Sequence, residues 1–114
     1  MSSFQHKNLA AGKWQELNFF EQMANVGSEV ERAIRWREKN SEYSEMAFWR
    51  MLELLDLTID DKKNHSRLKE LGRLREILID YFKFNNIYGS TAEKWRNYFN
   101  AFNYAAVKRT GSVL

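Results

Sequence analysis

The stretch Phe19-Phe20-Glu21-Gln22-Met23-Ala24-Asn25-Val26-Gly27-Ser28-Glu29-Val30-Glu31-Arg32-Ala33-Ile34 decides the fold. Its apolar residues, Phe19, Phe20, Met23, Val26, Val30, Ala33 and Ile34, recur three and four apart, the spacing of one helix face. Carried outward, the pattern predicts a helix over 13–39. Gly27 falls on the same apolar face. A glycine inside a helix weakens it, so we read Gly27 as a place where a neighbour approaches closely. The alternative is a break at Gly27-Ser28.

Three further stretches repeat the helical period. A second helix is expected over 41–59, capped by Asn40 or Ser41, with Ala47, Phe48, Met51, Leu52, Leu54, Leu55 and Ile59 on its apolar face. Asp60-Asp61-Lys62-Lys63-Asn64 reads as a polar turn. The third helix is expected over 65–82, burying Leu68, Leu71, Leu74, Ile77, Leu78, Tyr81 and Phe82. Asn85, Asn86 and Gly89 mark the next connection. Ser90-Thr91-Ala92-Glu93 reads as a capping box, with Ser90 and Glu93 as its two members, opening a fourth helix. Trp95, Tyr98, Phe99, Phe102, Ala105 and Ala106 form that helix's inner face. Short connections favour antiparallel neighbours. The expectation is an all-α, single-domain four-helix bundle over 1–114, up-down-up-down and antiparallel, with tails at 1–12 and 110–114.

With 114 residues, 44% of them hydrophobic and 15% aromatic, the chain can build one ordinary core. It contains no cysteine and no proline. Disulfides and cysteine-held metals are thereby excluded, which suits a reducing cytoplasm. Residues 1–12 lack the apolar centre of a signal peptide, and no run approaches the ~20 apolar residues that span a bilayer. A cytoplasmic protein without a membrane anchor is the expectation. Net charge is only +3, but it is unevenly placed. Residues 41–60 carry five acids and one base, whereas 62–75 carry six bases and one acid. Such a distribution suits two antiparallel helices of complementary charge. Its second reading is a basic face for RNA, DNA or an acidic protein.

Catalytic patterns are lacking. His6 and His65 have no carboxylate three residues before them, as bundle di-iron sites require. Neither completes the Arg-x(4–6)-His spacing of small helical ribonucleases. Glu42 with Glu45, and Glu53 with Asp56, are similar to the carboxylate pairs of all-helical nucleotide pyrophosphohydrolases, which hold magnesium through oxygen ligands. Those enzymes place the pairs on two facing helices, and here both fall on one. Together with Asp60 they occupy an outward arc of about 80°, the usual place for solvated charge. The sequence therefore indicates no metal, no cofactor and no enzymatic activity.

Surface-facing residues carry the functional expectation. Lys62, Lys69 and Arg73 are expected on the outer stripe of the third helix, with Arg67 and Arg75 nearer its apolar boundary. Arg96, Asn97, Asn100, Asn103, Tyr104 and Lys108 are expected on the outer face of the fourth. Asparagine is a poor helix former, so this donor-rich stripe looks less like filler; it suits phosphate and base contacts and equally another protein's backbone. Trp49 falls within the acidic stripe of the second helix. Trp14 and Trp36 fall off the core face of the first. Exposed tryptophans suit a protein partner or self-association into a homo-oligomer.

The segments Phe19 to Ile34 and Leu54-Leu55-Asp56-Leu57-Thr58-Ile59, with Tyr88-Gly89-Ser90-Thr91 and Trp95-x-x-Tyr98-Phe99, resemble a family of small uncharacterised prokaryotic helical proteins. That resemblance covers most of the chain and implies no activity. In size, basic pI and helix content the chain is also similar to the four-helix-bundle accessory proteins of diversity-generating retroelements and ribosomal-RNA intervening sequences. This similarity implies RNA association and oligomerisation. The expectation is thus a non-enzymatic binding protein, nucleic-acid-associated and favouring RNA over DNA. The alternatives are a protein–protein adaptor or homo-oligomeric unit, then a magnesium-dependent nucleotide hydrolase using the second helix's carboxylates.

Overall fold

Asn18 sets where the first helix begins. Its side-chain oxygen accepts from the Glu21 amide at 2.8 Å, and Glu21 accepts from the Asn18 amide at 2.9 Å. This reciprocal capping box starts helix α1 at Phe19 and ends the chain's preceding course. The computed structural model describes residues 12–110, with side chains to residue 107. Helix α1 spans Phe19–Trp36, α2 Ser41–Asp60, α3 Leu68–Lys83 and α4 Ala92–Thr110. Short 3-10 turns, Trp14–Glu16 and Lys62–Arg67, precede α1 and α3.

The four helices form an up-down-up-down bundle. Ser44 at the start of α2 donates to the carbonyl of Ala33 near the end of α1 at 2.7 Å. Phe48 of α2 meets Phe82 of α3 with ring centroids 5.7 Å apart. Phe19 at the start of α1 meets Phe102 of α4 edge-on at 5.8 Å. Tyr81 and Trp95, 6.4 Å apart, join α3 to α4 beside their connection. Met23, Val26, Val30, Met51, Leu55, Leu71, Leu78, Trp95 and Phe99 are buried between these helices. No helix among the described residues is long and apolar enough to cross a membrane.

Gly27 is a notch for α4. The helix runs through it unbroken. A Cβ built there lies 2.8 Å from the Cβ, Cγ and Cδ1 atoms of Phe99. Gly72, by contrast, has nothing within 4 Å of its missing Cβ. Opposite effects of alanine are therefore expected. Gly27→Ala should force α4 outward at an overpacking cost of about 1–3 kcal/mol, only partly offset by about 1 kcal/mol of helix propensity. Gly72→Ala should add about 0.5–1 kcal/mol. Urea denaturation at low protein concentration decides it, and the same sign for both would mean that there is no notch.

Charge complementarity does bind α2 to α3. Arg75 Nε lies 2.8 Å from Asp56 Oδ1, and Lys83 pairs with Glu45. Arg67 lies over the Phe19 ring, 4.0 Å from its centroid, so its stem and head cover apolar surface.

Several local expectations are corrected. The first helix starts at Phe19 rather than 13 because Asn18 caps it. Lys62 lies in the 3-10 turn, so it is out of phase with Lys69 and Arg73 on α3. The box at α4 is also reassigned. Thr91 Oγ1, not Ser90, accepts from the Lys94 amide at 3.1 Å. Ser90 instead exchanges two backbone hydrogen bonds with the side chain of Asn86. His6 and the side chain of Lys108 lie outside the described residues, as do 1–11 and 111–114 of the expected tails at 1–12 and 110–114, while the backbone of Thr110 belongs to α4.

Candidate functional site

Trp14 is not a surface residue. Because the chain breaks at Leu17-Asn18, the outward phase extrapolated along α1 does not reach Trp14. Its side chain folds inward and is only 1% exposed. Its indole Nε1 donates to Thr58 Oγ1 at 3.1 Å. Gln22 donates to the Trp14 carbonyl at 3.0 Å and to Asp61 Oδ2 at 2.8 Å. Asn64 donates to Gln22 Oε1 and to the Thr58 carbonyl, both at 2.8 Å. This buried network ties the first 3-10 turn, α1, the end of α2 and the second 3-10 turn together. It removes Trp14 from the candidate partner surface.

Trp36 and Trp49 remain available. Trp49 is half exposed on α2. It is held in place by an edge contact with Phe48 at 5.1 Å and by donation from Nε1 to Glu45 Oε2 at 2.9 Å. Trp36 is half-buried and meets Tyr43 edge-on at 5.4 Å. Met46 and Tyr43 are exposed one and two steps before Trp49 at three-residue spacing. The result is an ordered stripe of three large side chains on the outer face of α2. The sequence reading singled out only Trp49. By helical geometry Met46 falls just beyond the acidic arc and Tyr43 about 80° outside it, so the acidic face pointed to Met46 at most. Lys83, paired with Glu45, and the Trp49 indole together hold that carboxyl below its ordinary range.

A groove of about 430 Å³ runs between α1 and α4. Gly27 and Phe99 lie along it, and Arg32, Arg35, Arg96, Asn100 and Asn103 give it a donor-rich rim. Glu31 tempers the positive charge. It takes both Arg96 contacts, at 2.7 and 3.2 Å, and lies 3.6 Å from Arg35. The hydrogen-bonded Glu31 carboxylate raises the Arg96 pKa further. Arg32 pairs with Glu29 at 2.9 Å.

The structure therefore joins some expected nucleic-acid contacts and separates others. Arg96, Asn100 and Asn103 share the groove, and Arg32 and Arg35 of α1 join them. Lys62, Lys69 and Arg73 are exposed elsewhere, and none lines it. Tyr104 is exposed on α4 but outside the groove.

The chain matches no family model, no curated protein and no solved structure. Function must therefore be argued from surfaces. A carboxylate metal site has no geometric support. Among the described residues no group of three or more His, Asp or Glu side chains is placed to hold a metal ion. Glu45 and Asp56 are moreover committed to Lys83 and Arg75.

Proposed function

We propose that this bundle is a non-enzymatic interaction module that binds a protein partner through the Tyr43, Met46 and Trp49 stripe of α2. The supporting observation is exposure combined with order. Three large side chains face solvent on a band that winds about 120° around α2, and the two aromatic ones are fixed by ring contacts and, for Trp49, by a hydrogen bond. Preformed aromatic anchors lose little conformational freedom when a partner covers them. Glu42 and Glu45 share this face, which favours a partner segment that mixes apolar anchors with lysine or arginine.

Paired Trp49→Ala and Met46→Ser substitutions should leave helix content intact and weaken such a complex by about 2 kcal/mol or more, near thirtyfold. The measurement is cross-linked capture from the source cell with wild-type and variant protein side by side. Recovery of the same proteins by both would overturn the reading. So would recovery of nucleic acid alone.

The α1–α4 groove favours a second reading, RNA binding. Its arginines suit phosphate, and Asn100 and Asn103 suit base edges. Affinity would then fall steeply with salt as counterions are released. Arg35→Glu with Asn100→Ala would abolish it, whereas Lys69→Glu with Arg73→Glu would not. Filter binding against mixed RNA pools separates this reading from the first.

A further inference from the structure

Arg96, Asn100 and Asn103 follow one another at four- and three-residue spacing, so they share one stripe of α4 along the groove. The two ends of that stripe differ in chemistry. Glu31 holds Arg96 at 2.7 and 3.2 Å and lies 3.6 Å from Arg35, which gathers two guanidinium groups at one end. Gly27 packs on Phe99, so Asn100 and Asn103 lie toward the other end. Their amides are uncommitted. Asn25 spends its amide on the Glu21 carbonyl of its own helix at 2.9 Å. The side chains of Asn100 and Asn103 have no hydrogen-bond partner among the described residues. From Arg96 to Asn103 the stripe runs about 10 Å by helical rise, the reach of a single nucleotide from phosphate to base edge.

Trp95 supplies a second, independent observation. It lines the groove and is only 6% exposed. Its indole Nε1 is buried and has no acceptor among the described residues. Its ring neighbours, Tyr81, Tyr98 and Phe99, leave that donor unpaired. Buried donors are nearly always paired, and one left over is costly. The groove is the side from which an acceptor can come, and Trp95 adjoins Arg96 at the guanidinium end. Charge limits the size of the ligand. Arg32, Arg35 and Arg96 pair with Glu29 and Glu31, three positive charges against two negative, so one positive charge is left over. A guanidinium has more donors than the Glu31 contacts use, so donors remain for a phosphate. Lys62, Lys69 and Arg73 do not line the groove and so do not extend it. A strand is held along a continued basic track, whereas one phosphate needs only this end.

Resting on the RNA reading of this groove for the roles of its donors, we propose that the groove holds one adenine nucleotide. The phosphate lies at Arg35, Arg96 and the Trp95 N–H, and the adenine edge lies at Asn100 and Asn103. An asparagine side chain presents an amide donor and a carbonyl acceptor, which match N7 and the N6 amino group of adenine. The same unit occurs as free adenosine 5′-monophosphate and at the end of an RNA strand.

Calorimetric titration of the full chain with adenosine 5′-monophosphate at low salt is the test, read beside the NMR signal of the Trp95 indole N–H. Binding should be one to one, and the indole proton should move downfield as it gains an acceptor. Asn100→Ala with Asn103→Ala should weaken the nucleotide about tenfold or more and leave inorganic phosphate unaffected. Arg35→Gln should weaken both ligands. All three residues are exposed, so the fold should be kept. Lys69→Glu with Arg73→Glu should change neither ligand. An oligoadenylate strand should bind no more tightly than the mononucleotide, with a salt slope of about −0.7, that of one phosphate. Strand binding with the slope of several phosphates, and none of the mononucleotide, overturns the one-nucleotide site and keeps the RNA reading. Mononucleotide binding without strand binding does the reverse. No heat with the mononucleotide, or a Trp95 signal unmoved at saturation, also overturns the proposal.

Discussion

Phe99→Ala is expected to lower the free energy of unfolding by about 3–5 kcal/mol. The side chain is buried on the inner face of α4. It touches Trp95, Tyr98 and Phe102 on its own helix, with ring centroids 4.9 to 6.3 Å away, and fills the notch at Gly27 on α1. Removal of the ring forfeits its transfer free energy and leaves a cavity at the middle of the α1–α4 contact. For a domain of this size the melting temperature should fall by on the order of 10–20 °C. Because native stability is commonly only about 5–15 kcal/mol, a measurable unfolded fraction is expected on warming. The pairing with position 27 gives an internal check. In the Phe99→Ala background the cost of Gly27→Ala should fall in part, since the methyl loses its clash with the ring carbons Cγ and Cδ1 but still meets the Cβ that alanine keeps. Additive effects in a four-variant denaturation cycle would show that the two residues do not share the contact.

Gln22→Leu should cost about 2–4 kcal/mol, because buried polar partners are left behind. Gln22 has no solvent exposure. Its amide serves Asp61 and the Trp14 carbonyl, and its oxygen accepts from Asn64. Leucine is of similar bulk, so packing changes little and the loss reports the hydrogen bonds. Acid should reveal the same site. Burial works to raise the Asp61 pKa, but hydrogen bonds from Lys63 and Gln22 together outweigh it and hold the carboxyl below the ordinary 3.8. A carboxylate with a lowered native pKa stabilises the fold fully above its unfolded value, and that contribution is lost as pH falls through the native one. Wild type should therefore hold this stability until the medium is more acid than about 3.8. Gln22→Leu, lacking one of the donors, should lose it at higher pH. Denaturation midpoints measured from neutral pH downward decide the matter, and parallel profiles for the two proteins would mean that Gln22 does not tune Asp61.

With the exception of Leu68, which is exposed at the start of α3, the inner faces of the four helices were legible in the sequence because periodicity reports burial directly. So was Gly27, whose position on an apolar face has few uses other than close approach. The acidic and basic runs anticipated the Asp56–Arg75 pair, whereas Lys83, which pairs with Glu45, lies beyond the basic run. Errors gathered where a phase was carried across a break. Trp14 looked external only if α1 ran straight through Leu17 and Asn18. Lys62 aligned with Lys69 only if the turn before α3 kept 3.6 residues per turn instead of the tighter 3-10 winding. At α4, adjacent Ser90 and Thr91 both suit a cap, and Asn86 decides between them by claiming the Ser90 backbone.

Helix α1 packs against both α2, which follows it after four residues, and α4, which lies more than fifty residues further along the chain. On the ribosome these contacts cannot form together. The α1–α2 hairpin can close as soon as both helices have emerged, since a short connection costs little closure entropy. The α4-facing side of α1, including the notch at Gly27, stays bare until the last helix is synthesised. The nascent chain thus carries an uncovered apolar strip, Phe19 included, while α2 and α3 are being made. A helper or a fast rate of final docking is of most use to this protein in that interval.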